Sequence, residues 1–89
     1  MVIRIWISHG PGYHSEGELK IPARIKTVGQ LKKALGKSAS VARSWSTAYD
    51  DSPSYSFPAA DVALEAGAQY IISNHDEGKL GALRGYTKD

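Results

Sequence analysis

The sequence predicts an α+β fold, a small mixed β-sheet of four or five strands with one main helix packed on one face. Three observations carry this. Residues 2–8 and 18–26 alternate apolar and polar side chains with a period of two, residues 27–35 carry apolar side chains at helical spacing behind a capping signal, and residues 68–73 form a short apolar run after a glycine. With 89 residues there is length for one domain and a thin core, and 42% hydrophobic with 22% charged residues is ordinary globular composition. The reading places a single domain over residues 1–78 and a flexible C-terminal tail over 79–89, where glycine and charge dominate.

In the first strand Ile3, Ile5 and Ile7 share one face, and Val2, Arg4, Trp6 and Ser8 share the other. Residues 9–17 then hold three glycines and a proline, turn chemistry that predicts a hairpin loop longer than the commonest two-residue turn. On the second strand, residues 18–26, Leu19, Ile21, Ala23 and Ile25 face the core while Glu18, Lys20, Arg24 and Lys26 face outward, with Pro22 marking a sheet edge.

Thr27 and Gln30 stand in the Thr-x-x-Gln relation of a capping box. Val28, Leu31, Ala34 and Leu35 make the apolar stripe of the helix, Lys32 and Lys33 lie outside it, and Gly36 ends it. Residues 38–49 fit either period, since Val41, Trp45 and Tyr49 are four apart and also alternate with Arg43 and Thr47; β-branched and aromatic content favours a strand over 42–49. Asp50 to Ser54 reads as a turn and Tyr55 to Phe57 as a brief strand. Residues 58–67, with proline first, glycine last and alanine, leucine and glutamate between, read as one or two helical turns, and residues 68–73 as a central strand.

Charge is segregated along the chain. Lys20, Arg24, Lys26, Lys32, Lys33, Lys37 and Arg43 carry +7 with no acid among them, while the rest of the chain carries −5. A field polarised in this way steers an acidic partner toward one side of the molecule.

The order strand, loop, strand, capped helix, strand, short helical turn, apolar strand resembles the ubiquitin-like β-grasp fold, in which two N-terminal strands form a hairpin and the last strand lies beside the first. Residues 1–7 are similar to that family's opening strand, 27–36 to its helix and 63–72 to its closing turn and strand. Conjugated and sulfur-carrying members end in a diglycine, and this sequence reads Leu83-Arg84-Gly85-Tyr86-Thr87-Lys88-Asp89. The resemblance therefore implies a non-enzymatic binding module and not modifier chemistry.

Catalytic and metal chemistry find little support. There is no cysteine, which removes thiolate zinc sites, disulfides and thiol nucleophiles. His9 and His14 share a Gly/Pro loop at a spacing that matches no standard ligand pattern, and His75 is remote in sequence. The adjacent pairs Asp50-Asp51 and Asp76-Glu77 read as turn residues, not as carboxylates converging on a substrate, and the serines lack a Gly-x-Ser-x-Gly elbow. No cofactor or metal is expected, and no enzyme activity.

The expected function is a small binding module of the cytoplasm. It would present Lys20, Arg24, Lys26, Lys32, Lys33, Lys37 and Arg43, with Tyr13 at the tip of the glycine loop, to an acidic protein surface; a nucleic acid reached through the same cations is the alternative. Tyr13 either projects as a contact or folds back on the sheet. Trp6, opposite the isoleucines, either stacks on a partner or joins a second small cluster with Trp45 and a tyrosine. The opening apolar residues are interrupted by Arg4 and too few for a membrane span.

Overall fold

The computed structural model describes residues 1–10, 13–45, 54–83 and 86–88, the side chains of residues 9, 10, 13, 14, 77 and 86–88 excepted. The chain is an α+β fold built on one mixed sheet. β1 (Val2–Gly10) and β2 (Tyr13–Lys20) form an antiparallel hairpin, α1 (Val28–Leu35) follows, and then come β3 (Ser40–Ser44), β4 (Tyr55–Ser56), β5 (Gln69–Ser73), α2 (Glu77–Ala82) and β6 (Tyr86–Lys88). The strand order is β4-β3-β5-β1-β2-β6, with β5 parallel to β1 and the other pairs antiparallel.

Alternation on β1 buries Ile3, Ile5 and Ile7, which meet Leu19 on β2 and Tyr70 and Ile72 on β5 in one apolar layer. α1 covers that layer with Val28, Leu31 and Leu35, all fully buried, at roughly 1.5–3 kcal/mol for each such side chain removed from water. Eight residues of helix would not hold in water alone, so α1 depends on this packing and on its caps. Thr27 Oγ1 accepts the Gln30 N–H at 3.2 Å, and Gln30 Oε1 accepts the N–H groups of Thr27 at 3.2 Å and Lys26 at 2.6 Å, the expected capping box.

Five features differ from the sequence reading. The hairpin is tight: Gly10 pairs with Tyr13, leaving only residues 11 and 12 between the strands, with a register irregularity between Ser8 and Gly10. The second strand is displaced toward the N-terminus and stops at Lys20. The Ile21 N–H still reaches the Met1 carbonyl, but Pro22 has no N–H to continue the ladder, and the Ile25 N–H turns back to the Pro22 carbonyl. Ile21 and Ile25 are buried by that turn and not by strand alternation, so Arg24 and Lys26 lie in a loop.

The third strand occupies Ser40–Ser44, earlier than the expected 42–49; Thr47 and Tyr49 lie outside the described residues. The stretch 58–67 forms turns and no helix. Its carbonyls are spent elsewhere: Val62 O accepts the Val28 N–H and Ala60 O the Gly29 N–H, both at 2.9 Å, while the Leu64 N–H donates to Lys26 O. Carbonyls aimed at the first amides of α1 point away from the amides four residues on that a helical ladder of the segment's own would need. Residues 79–89, set aside from composition as a tail, include most of α2 and all of β6, and Leu80 and Leu83 are buried in the main core. β6 pairs with β2 and raises the sheet to six strands, and α2 joins α1 as a second, shorter helix.

Candidate functional site

Of the cationic residues singled out in the sequence, six lie exposed along a path from the end of β2 to the end of α1. Lys20 closes β2, Arg24 and Lys26 sit in the loop, Lys32 and Lys33 project from the last turn of α1, and Lys37 follows it. Among the described residues none of these six has an acidic partner. They do not form the single flat strand face that alternation over 18–26 implied. Lys20 pairs with Val2 on the side of the sheet away from α1, whereas Lys32 and Lys33 belong to the layer above it.

Arg43 departs from the group altogether. Its register partner on β5 is Tyr70, on the buried face, and its side chain is only 14% exposed. The guanidinium lies 4.0 Å from the Trp45 ring centroid and 5.8 Å from that of Tyr70. It donates to the Ser44 carbonyl and, at 3.4 Å, to the Gln69 carbonyl, and pairs with Glu65 at 3.6 Å. The Glu65 backbone N–H donates to the Tyr70 hydroxyl at 3.0 Å, so the same residues are tied together twice. A guanidinium held between two rings and engaged by two carbonyls is a fastening of β3 to β5, not a free contact for a partner. Tyr13 opens β2, and its side chain lies outside the described residues, as do those of His9 and His14.

The N-terminus of α1 is closed to anions. The first three amides are taken by Val62 O, Ala60 O and Thr27 Oγ1, leaving no cradle of free N–H groups for a phosphate. Beyond the other end of α1, Lys37, Ser38, Asn74, His75, Asp76 and Lys79 line an open polar recess of about 390 Å³. Its charges are mixed, and Asp76 is occupied in capping α2 through the Lys79 N–H. Among the described residues no group of three or more metal-ligating side chains occurs.

The face of the sheet turned away from α1 holds a more ordered feature. Register aligns Trp6, Ile71 and Ala42 across β1, β5 and β3, and aligns Ser8, Ser73 and Ser40 in the next row. At the β4 edge Tyr55 pairs with Ser44, and continuing that register sets Phe57 beside Ala42. Ala42 and the serines, with Ile71 among them, form the middle, and larger rings stand at both sides of a groove of about 270 Å³, with Trp6 on one wall and Tyr55 and Phe57 on the other. Those two rings meet edge to face at 5.7 Å and 88°, yet remain 52% and 67% exposed.

Trp6 is thus on the open face, as the alternation of β1 requires, but the aromatic residues with which it shares a groove are Tyr55 and Phe57, on the opposite wall, and not Trp45, which stacks on Arg43 instead. The signal that could have found the wall is the spacing of Tyr55 and Phe57 on either side of Ser56. Interpreting it required the position of β4 in the sheet. No family model, curated protein or solved structure matches this chain.

Proposed function

We propose that this chain is a non-enzymatic binding module of the ubiquitin-like β-grasp type, whose exposed cations between Lys20 and Lys37 engage an acidic protein surface. The observation that carries the reading is the set of six exposed cations without an acidic partner among the described residues, five of them on the loop and helix and Lys20 at the end of β2. Exposed like charges repel one another and add little to stability, whereas the same charges set the rate and salt dependence of association with an acidic partner. The β-grasp assignment rests on the hairpin of β1 and β2, the capped helix that follows, and β5 running parallel beside β1. A protein partner is favoured over a nucleic acid because the exposed rings of Tyr55 and Phe57 and the helical lysines belong to opposite sides of the sheet, which separates stacking groups from phosphate-binding groups.

The test is a charge-reversed variant, Lys26→Glu with Lys32→Glu and Lys33→Glu, compared with the parent in capture experiments run with and without nuclease. The variant is expected to keep the circular dichroism spectrum and melting temperature of the parent and to lose its acidic protein interactors, with nuclease making no difference to the parent's set. Retention of every interactor by the variant sinks the reading. Loss of the interactors on nuclease treatment transfers the surface to nucleic acid, and binding should then weaken steeply as salt rises from about 50 to 200 mM.

A further inference from the structure

The groove on the open face is independent of the cations, and its chemistry is restrictive. The polar side chains of its floor are hydroxyls: Ser8, Ser73 and Ser40 stand in one row across three adjacent strands, each half-buried, and the walls add the Tyr55 phenol and the Trp6 indole N–H. Among the described residues none of the three side chains has a hydrogen-bond partner. The groove is lined by no charged residue, and the Arg4 guanidinium, one row away, is already paired with Glu18 at 3.2 Å. Aromatic rings form its two sides, separated by three strand spacings, about 14 Å between backbones before the side chains narrow the gap.

Each class of occupant meets these facts differently. An apolar side chain from a protein partner would fill the space between the rings but would seal three hydroxyls from water without a partner, at roughly 1–3 kcal/mol for each. A nucleotide or a charged peptide would find no counter-charge in the lining. A neutral ring with apolar faces and a rim of hydroxyls satisfies both parts, since its C–H faces lie against the aromatic walls and its rim exchanges hydrogen bonds with serines, which both donate and accept. We infer that the groove bounded by Trp6, Tyr55 and Phe57 and floored by Ser8, Ser40 and Ser73 is a binding site for a neutral pyranose, a single sugar unit of a glycan. The volume of about 270 Å³ suits one ring and no larger unit, since it falls just below the range of about 300–1,000 Å³ common for ligand sites.

The experiment is an amide and indole NMR titration of the full chain with methyl glycosides of neutral hexoses, carried to high millimolar concentration, with adenosine and an apolar tripeptide as competing probes. Saturable shifts confined to Trp6, Ala42, Ile71 and the three serines are expected with at least one glycoside. Phe57→Ala, at an exposed position whose loss leaves the core intact, should weaken that affinity roughly tenfold, about 1.4 kcal/mol, with an unchanged melting temperature. Ser73→Ala tests the hydroxyl row separately and should weaken binding without altering the response of the groove to the tripeptide. Absence of saturable shifts with every glycoside overturns the inference, as does tighter binding of the tripeptide or adenosine at the same residues. Neither result bears on the cationic surface, which none of these probes or variants touches.

Discussion

A methyl group at position 29 would lie 2.8 Å from the Ala60 Cβ and 2.9 Å from the Ala60 carbonyl oxygen. Helix propensity alone predicts that Gly29→Ala stabilises α1 by up to about 1 kcal/mol. The clash is with backbone that cannot rotate away, and that carbonyl is itself held by the Gly29 N–H at 2.9 Å. Overpacking of this kind costs about 1–3 kcal/mol, so steric cost should win and Gly29→Ala should lower the midpoint of urea denaturation. Thr27→Ala acts on the same helix end by a different route. It removes the acceptor of the Gln30 N–H while the Val28 and Gly29 amides keep theirs, and it should cost about 1 kcal/mol in the same measurement. An unchanged midpoint in either variant would contradict the corresponding argument. The capping box was legible because both partners fall within one turn. The need for glycine at 29 was not, because the group it accommodates lies 31 residues further along the chain.

At the scale of elements, the sequence was informative wherever one periodicity dominated and both sides of it were used. β1 alternates because one face meets α1 and the other does not, and α1 carries a clean stripe because it packs on one side only. Residues 58–67 misled because alanine, leucine and glutamate report helical preference, while the actual conformation is set by hydrogen bonds to Lys26, Val28 and Gly29. The C-terminal stretch misled for a related reason: only two of its apolar residues, Leu80 and Leu83, are needed in the core, too few to show a period among glycines and charges. Their burial makes a sharp prediction. Deleting residues 79–89 removes both leucines, most of α2 and the β6 ladder on β2. Two buried leucines contribute roughly 1.5–3 kcal/mol each, a large share of the 5–15 kcal/mol that holds a small domain together. The truncated chain should therefore melt far below the full-length protein or fail to fold, whereas a dispensable tail would leave the thermal transition where it was.

For the molecule as a whole, the two candidate surfaces were legible to different degrees. Segregation of cations is a property of order along the chain, so six of the seven cations that counting singled out are exposed; Arg43 was misplaced because its ring and carboxylate partners, Tyr70 and Glu65, come more than twenty residues later. The groove depends on sheet order, which brings residues 6, 40, 57 and 73 together and which no local pattern encodes. The same order implies a gradient of stability across the groove. β5 and β1 are interior strands with ladders on both sides, and their buried residues Ile5, Ile7, Tyr70 and Ile72 belong to the main core. β4 is an edge strand of two residues, paired with β3 only at Ser56 and Tyr55, with exposed side chains throughout. Interior amides should open only with global unfolding, and the β4 amides by local opening at much lower free energy. Native-state hydrogen exchange should accordingly show the amides of Ile5, Ile7, Tyr70 and Ile72 slowest, with free energies that match global unfolding, and those of β4 among the fastest in the sheet. Trp6 stands on the stable part of the sheet and Tyr55 on the labile edge, so a ligand held between them must restrain the edge in order to bind. Occupancy of the groove should slow exchange at Tyr55 and Ser56 and at the Trp45 N–H, which donates to the Ser54 carbonyl at 2.8 Å, while the interior amides shift only by the global stabilisation that mass action gives to any ligand of the native state. Equal slowing at every position would mean that the edge is already as firm as the interior strands.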